Sequence, residues 1–328
     1  MFRIASRIAG FSGLMIGVWC SHWASAQTYP SKPIRLIVPY VTGAVLDATA
    51  RAVGQQVSES LGQPVIVENR PGASSIVGME ACAKAAPDGY TLCITVADSL
   101  SYNPYLFANL PYNPETDFVP VINLVRGNSM ILANATAPFN SFKEMVEYSR
   151  ANPGALNWGT WGPATIPDVY LQWIKHQKGV NITAVPYKGG GQAIPALLAG
   201  EINVTFMAIG VVLPQIKAGK LKSIAVVGSR RSPLLPEVPS LAEEDADPGL
   251  NSYFGVFAPV KTPRPIVERL NSEFTKALQA PKIQDFMRTQ TLTVVGGSAS
   301  EFAEFLTLDR TNSGRVFKTI GVRAESIP

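Results

Sequence analysis

Residues 34–69 read IRLIVPYVTGAVLDATARAVGQQVSESLGQPVIVEN, and this stretch decides the fold class. IRLIVPY (34–40) is apolar and β-branched enough for a buried strand. After a turn at Thr42-Gly43, Val45, Thr49, Ala52, Val53, Val57 and Leu61 recur at three- and four-residue spacing, which predicts one apolar face of a helix. Gly62 ends that helix, and PVIVEN (64–69) is the next strand. A strand, a helix and a second strand in this order make the βαβ unit of a parallel sheet.

The alternation continues along the chain. Arg70-Pro71-Gly72-Ala73 is a turn, residues 76–85 a helix, Pro87-Asp88-Gly89 a turn, and YTLCITV (90–96) a third strand. Strands at 119–124 and 129–133 carry the chain into a second unit. There, helices at 141–151, 167–179, 192–199 and 212–219 alternate with strands at 155–160, 182–187, 202–208 and 222–228. A Pro- and acid-rich stretch (232–249) leads to SYFGVFAP (252–259), a strand returning to the first unit, and helices at 265–278 and 300–320 follow. The expected architecture is α/β: two mostly parallel sheets in two lobes, with a ligand cleft between them. Lobe 1 is residues 27–124 plus 250–328, and lobe 2 is residues 125–249.

The N-terminus has Arg3 and Arg7, an apolar run from Ile8 to Cys20, and the small-x-small close Ala24-Ser25-Ala26, which predicts a cleavable secretory signal peptide over 1–26. The run is shorter than the roughly 20 residues of a membrane-spanning helix. Val18-Trp19 ahead of Cys20 argue against lipidation. Cleavage before Gln27 leaves 302 residues in an oxidising compartment and lowers the formal charge from +4 to +2. With no clustered Lys/Arg, nucleic acid is not an expected partner. Cys82 and Cys93 sit in apolar helical and strand-like settings, so two separate buried thiols are favoured over a pair.

Catalytic chemistry fails on inventory. Past residue 26 the only histidine is His176, in WIKHQKG, where it reads as solvent-facing. No G-x-S-x-G, Walker sequence or G-x-G-x-x-G after a strand occurs, and His176, Cys82 and Cys93 make an implausible zinc set. No cofactor or metal is expected, and the chain reads as a binding protein.

What the chain has instead is strand-to-helix turns built from Gly, Thr and Ser, which present backbone N–H groups at helix N-termini. Three such turns are candidate ligand loops. The first holds Tyr40, Thr42, Gly43 and Asp47; the second Ala97, Asp98 and Ser99; the third Thr160, Trp161, Gly162 and Thr165. Each reads equally well as an ordinary helix cap. Trp161, in a Gly-flanked loop, is either a lobe-lobe contact or a stacking wall for the ligand. In Tyr187-Lys188-Gly189-Gly190-Gly191, the glycines would let backbone approach a ligand, while Lys188 reads as a solvated surface group.

At these residues a family resemblance emerges. YPSKPIRLIVPY (29–40), the Gly43-x-x-x-Asp47 spacing, LGQPVIVENRPGA (61–73), AKAAPDGYTL (83–92), NPYLFANLPYNPETDFVPV (103–121), VPYKGGGQAIPALLAGEI (185–202), PQIKAGKLKSIAV (214–226) and RRSPLLPEVPSLAE (230–243) resemble the Bug-type solute receptors of tripartite tricarboxylate transporters. The resemblance implies a two-lobed, type II-like periplasmic-binding-protein fold. The implied function is that of a periplasmic receptor, with no chemistry of its own, that closes on a small carboxylate and hands it to membrane permease subunits. A monomer is expected, with the ligand held by the three loops above. A receptor presenting its carboxylate to a two-component sensor kinase has the same fold and site.

The departures from the family pattern concern the cargo. Ala44 stands for a second Gly, Ala97-Asp98-Ser99 for a Ser-Gly-Thr-like run, and Met207 for an Asp that commonly follows the corresponding strand. Most of these changes trade polarity for apolar volume, while Asp98 adds negative charge with few cations in view. The expectation is an aromatic or apolar mono- or dicarboxylate, or a ligand whose amino group meets Asp98, rather than citrate.

Overall fold

The computed structural model describes residues 29–162, 165–324 and 326–327. The expected signal peptide at 1–26, and Pro163 and Ala164 of the third loop, lie outside the described residues. The chain opens with β1 (Ile34–Val38), α1 (Val45–Leu61), β2 (Val65–Asn69), α2 (Ile76–Ala83) and β3 (Thr91–Val96). A π-helical turn (Asp98–Tyr102) runs into α3 (Asn103–Leu106), and β4 (Phe118–Arg126) follows. The middle of the chain supplies β5 (Ser129–Asn134), α4 (Phe142–Ala151), β6 (Leu156–Thr160), α5 (Ile166–Lys178), β7 (Ile182–Pro186), α6 (Gly190–Ala199), β8 (Val204–Ala208), α7 (Ile209–Lys217) and β9 (Leu221–Val226). The last part adds β10 (Tyr253–Pro259), α8 (Arg264–Gln279), α9 (Pro281–Thr289), β11 (Thr293–Gly296) and α10 (Ala299–Thr319).

Two sheets result, ordered β11-β4-β10-β3-β1-β2 and β7-β6-β8-β5-β9. Both are mixed, which corrects the expectation of mostly parallel sheets. β1 is parallel to β2 and β3, and β6 to β7 and β8, as helical crossovers require. The pairings of β10 with β3 and β4, of β11 with β4, and of β5 with β8 and β9 are antiparallel. The physical reason is the passage of the chain between sheets. β10 enters the first sheet from the second, and so runs against the strands that flank it.

Local sequence accounts for the helix ends. Gly62, Gly179 and Gly200 close α1, α5 and α6 in the left-handed conformation. Ser298 and Glu301 form a capping box at the start of α10. One apolar cluster joins Ile34, Leu36 and Val38 of β1 to Val53 and Val57 of α1 and Phe274 of α8. A second runs from Phe257 and Phe302 in the first sheet's layer to Tyr170 and Trp158 in the second's.

Cys82 and Cys93 form a disulfide, which corrects the reading of two separate thiols. The sequence placed each in a buried apolar setting, and both are fully buried. What it did not show is that α2 lies across β3 with the two Cα atoms 6.0 Å apart, well within reach of a covalent bridge.

Candidate functional site

A cavity of about 540 Å³ opens where the ends of β3, β4, β6, β8 and β9 meet. Strand polarity explains the place: in open α/β sheets, ligands lie beyond the carboxyl ends of the strands. Five of the twelve residues singled out in the sequence line it, namely Tyr40, Ala97, Asp98, Trp161 and Met207. The other seven do not reach its wall.

Their positions have physical explanations. Asp47 is buried and accepts hydrogen bonds from the Gly43 N–H, the Asn69 amide and the Arg51 guanidinium, each at 2.9 Å. Burial alone would raise its pKa, but these donors outweigh it and hold the carboxyl below its usual value. Asn69 also donates to the Tyr40 carbonyl at 3.0 Å, so Asp47 acts by shaping the loop that carries Tyr40. The Gly43 N–H is thus already used, and Thr42 and Gly43 face solvent.

Ser99 is wholly buried, hydrogen-bonded to Ser75 at 2.7 Å and Thr95 at 2.5 Å, and Tyr112 donates to its carbonyl. Thr160 is also buried and accepts from the Gly162 N–H at 3.3 Å, while the Thr165 hydroxyl donates to the Gly162 carbonyl at 2.7 Å. Gly162 adopts φ +106°, a conformation that favours glycine, and so allows the turn that presents Trp161. The glycine run at 189–191 works through packing: a Cβ added at Gly190 would come within 2.7 Å of Met207 Cε. Lys188 and His176 are exposed, as expected.

Asp98 begins the π-helical turn and lies half-buried in the cavity wall. Its carboxylate accepts a hydrogen bond from the Tyr40 hydroxyl at 3.5 Å, and desolvation pushes its pKa up to about 6, against the smaller lowering effects of Tyr40 and its own backbone N–H. Burial, with Asp98 beside it, raises Tyr40 well above the ordinary tyrosine value. Trp161 Nε1 is a buried donor with no partner among the described residues.

Much of the remaining wall was missed in the sequence. Arg126, Arg230 and Arg231 all line the cavity, where the sequence had put few cations in view. Arg231 is engaged by Glu243 at 2.8 Å, whereas Arg126 lies over the Phe305 ring with its Cζ 6.0 Å from the centroid. Tyr102 and Tyr170 add aromatic wall and donate to the carbonyls of Asn251 and Leu250. The available signal was a strand followed by glycine and polar residues, in Val125-Arg126-Gly127-Asn128 and Val227-Gly228-Ser229-Arg230. The same pattern had marked the three loops. Among the described residues, no group of His, Cys, Asp or Glu is arranged to hold a metal ion.

The profile of the TctC family, described as "Tripartite tricarboxylate transporter family receptor", matches residues 49–322. The chain belongs to this family. The receptor is 31% identical to protein BugT of Bordetella pertussis over 284 residues, covering 86% of this chain and 87% of that one. Among solved structures, it resembles the periplasmic binding protein BugD at 29% identity and a TM-score of 0.75, over 90% of this chain and 100% of that one. It also resembles Rpa4515 of R. palustris, solved with adipate, at 29% identity and a TM-score of 0.77, with the same coverage. The two-lobed fold of periplasmic binding proteins is therefore that of this receptor, and members of the family are binding proteins that work with tripartite transporters.

Proposed function

We propose that the receptor captures a small carboxylate with an apolar or aromatic body and delivers it to the permease subunits of a tripartite transporter, with no chemistry of its own. In this reading, residues 1–26 direct export to the periplasm. Lobe 1 (27–124 and 250–328) and lobe 2 (125–249) then close on the ligand, and the permease recognises the closed monomer.

The observation that carries the proposal is the cavity itself, in which arginines stand beside an aromatic wall of Trp161, Tyr170 and Phe206. An anion gains charge-assisted hydrogen bonds from guanidinium groups, and an apolar body gains burial on the rings. The adipate in the Rpa4515 structure supports a carboxylate as the class of ligand.

A thermal-shift screen of residues 27–328 against mono-, di- and tricarboxylates tests this. At a hundredfold excess over the dissociation constant, a ligand stabilises by about 2.7 kcal/mol. If no acid in the panel moves the unfolding midpoint, the carboxylate reading fails; turnover of a bound acid would overturn the binding-only role.

A further inference from the structure

The charged side chains that line the cavity differ in their partners. The Asp98 carboxylate has Tyr40 and its own backbone N–H as partners, and no Lys or Arg pairs with it among the described residues. Arg126 and Arg230 have no carboxylate partner among the described residues, while Arg231 is occupied by Glu243. Sheet register sets the span. Arg126 pairs with Tyr253 and Val96 with Phe254, adjacent residues of β10, so the ends of β3 and β4 flank that strand. Two inter-strand spacings put the backbones at Val96, two residues before Asp98, and Arg126 roughly 10 Å apart. The rings of Tyr170 and Phe206, with centroids 5.1 Å apart, and Trp161 supply an apolar wall to the same cavity.

We propose that the cavity reads its ligand end to end, with a carboxylate on Arg126 and Arg230, an apolar body along Trp161, Tyr170 and Phe206, and an ammonium group on Asp98. The ligand class is an amino carboxylate whose two charges stand at opposite ends of an apolar body, as in ω-amino acids and aminobenzoates. This rests on the reading of the cavity as a carboxylate site.

Charge decides between the alternatives. A dicarboxylate anchored on the arginines would set its second carboxylate against Asp98, and like charges a few ångströms apart repel strongly where water is partly excluded. An ammonium there gains an interaction of the opposite sign and gives Asp98 the cation it lacks. An α-amino acid carries both charges at one end and leaves the other end of the cavity unmatched.

Isothermal titration of the purified protein, at a pH well above the value of about 6 for Asp98, tests the assignment. The probes are γ-aminobutyrate, ε-aminocaproate and para-aminobenzoate. Each is set against the dicarboxylate of matching skeleton (succinate, adipate, terephthalate) and the monocarboxylate (butyrate, caproate, benzoate). The expected result is an amino acid bound at least about tenfold tighter than both of its matched acids, a difference of about 1.4 kcal/mol. Asp98→Asn should erase that preference while monocarboxylate binding persists. If the variant does not fold, the wild-type ranking alone decides.

A matched dicarboxylate or monocarboxylate that binds as tightly as its amino acid overturns the ammonium assignment and leaves the carboxylate reading standing. If no member of the panel binds and the broad acid screen is also silent, both fail. Silence in this panel beside a positive acid screen overturns the ammonium assignment alone.

Discussion

The loop from Tyr40 to Asp47 and the segments that leave the strand ends at 126–129 and 227–231 have the same local chemistry: a strand end, glycine and polar side chains. They differ in where the polar groups are satisfied. In the first loop, Asp47 takes up the Gly43 N–H, Asn69 and Arg51, and only Tyr40 reaches the cavity. In the other two, Arg126 and Arg230 face the cavity without a carboxylate partner among the described residues. A polar residue consumed by its own loop builds the site's frame, and one left over is available to a ligand. Sequence pattern does not distinguish these two fates.

The largest expected effect separates them directly. Asp47→Ala should remove about 2–3 kcal/mol of stability, because a buried carboxylate that gathers three donors is lost and the Asn69 amide is left without it; urea unfolding measures it. Since the Asp47 pKa is held below its unfolded value, its contribution is present above that unfolded value and is lost as pH falls through the folded one. A stability loss of only a few tenths of a kcal/mol would show that the loop is not framed by Asp47.

Changing Arg126 and Arg230 together to Gln should do the reverse. Both are exposed, so stability should hardly move, whereas carboxylate affinity should fall about tenfold, near 1.4 kcal/mol. Titration calorimetry beside an unfolding curve reads both quantities, and unchanged affinity would remove the arginines from the site.

Gly43→Val gives a smaller effect. No atom lies within 4 Å of an added Cβ, but φ is +87°, so the cost is backbone strain of roughly 1 kcal/mol, read from an unfolding curve. Ligand affinity should change little, since the Gly43 N–H is already donated to Asp47. A large loss of affinity in a folded variant would return this loop to the ligand.

The smallest effect is in the pH profile of binding. With the Asp98 pKa at about 6, a ligand bearing only carboxylates should weaken a few-fold as pH rises through that value and Asp98 becomes charged. An amino carboxylate should strengthen over the same range. Tyr40, Tyr102 and Tyr253 near Asp98 stay neutral throughout, because burial raises each of them. Parallel profiles for the two ligand types would exclude Asp98 as the discriminating group.

Most of the fold was legible. The predicted helix ending at Leu61 and the strands at 90–96 and 252–259 correspond to α1, β3 and β10, because apolar periodicity and terminal glycines act over one element. The π-helical turn at Asp98–Tyr102 and β11 were not anticipated, since each carries too few residues to set up a period, and α9 was not anticipated either. Of the site, Tyr40, Ala97, Asp98, Trp161 and Met207 were found from strand-end loops, and Arg126 and Arg230 were not. Their exposure to one cavity arises from strands that lie far apart in the chain.

The amino-acid sequence on its own carried the α/β alternation and the blocks that mark the receptor family. These depend on residue type and on spacing within one element. Only the tertiary structure decided that the sheets are mixed, that Cys82 and Cys93 are bonded, and which polar side chains remain for a ligand. Each of these depends on the direction and distance of segments brought together by packing, which no single stretch of chain encodes.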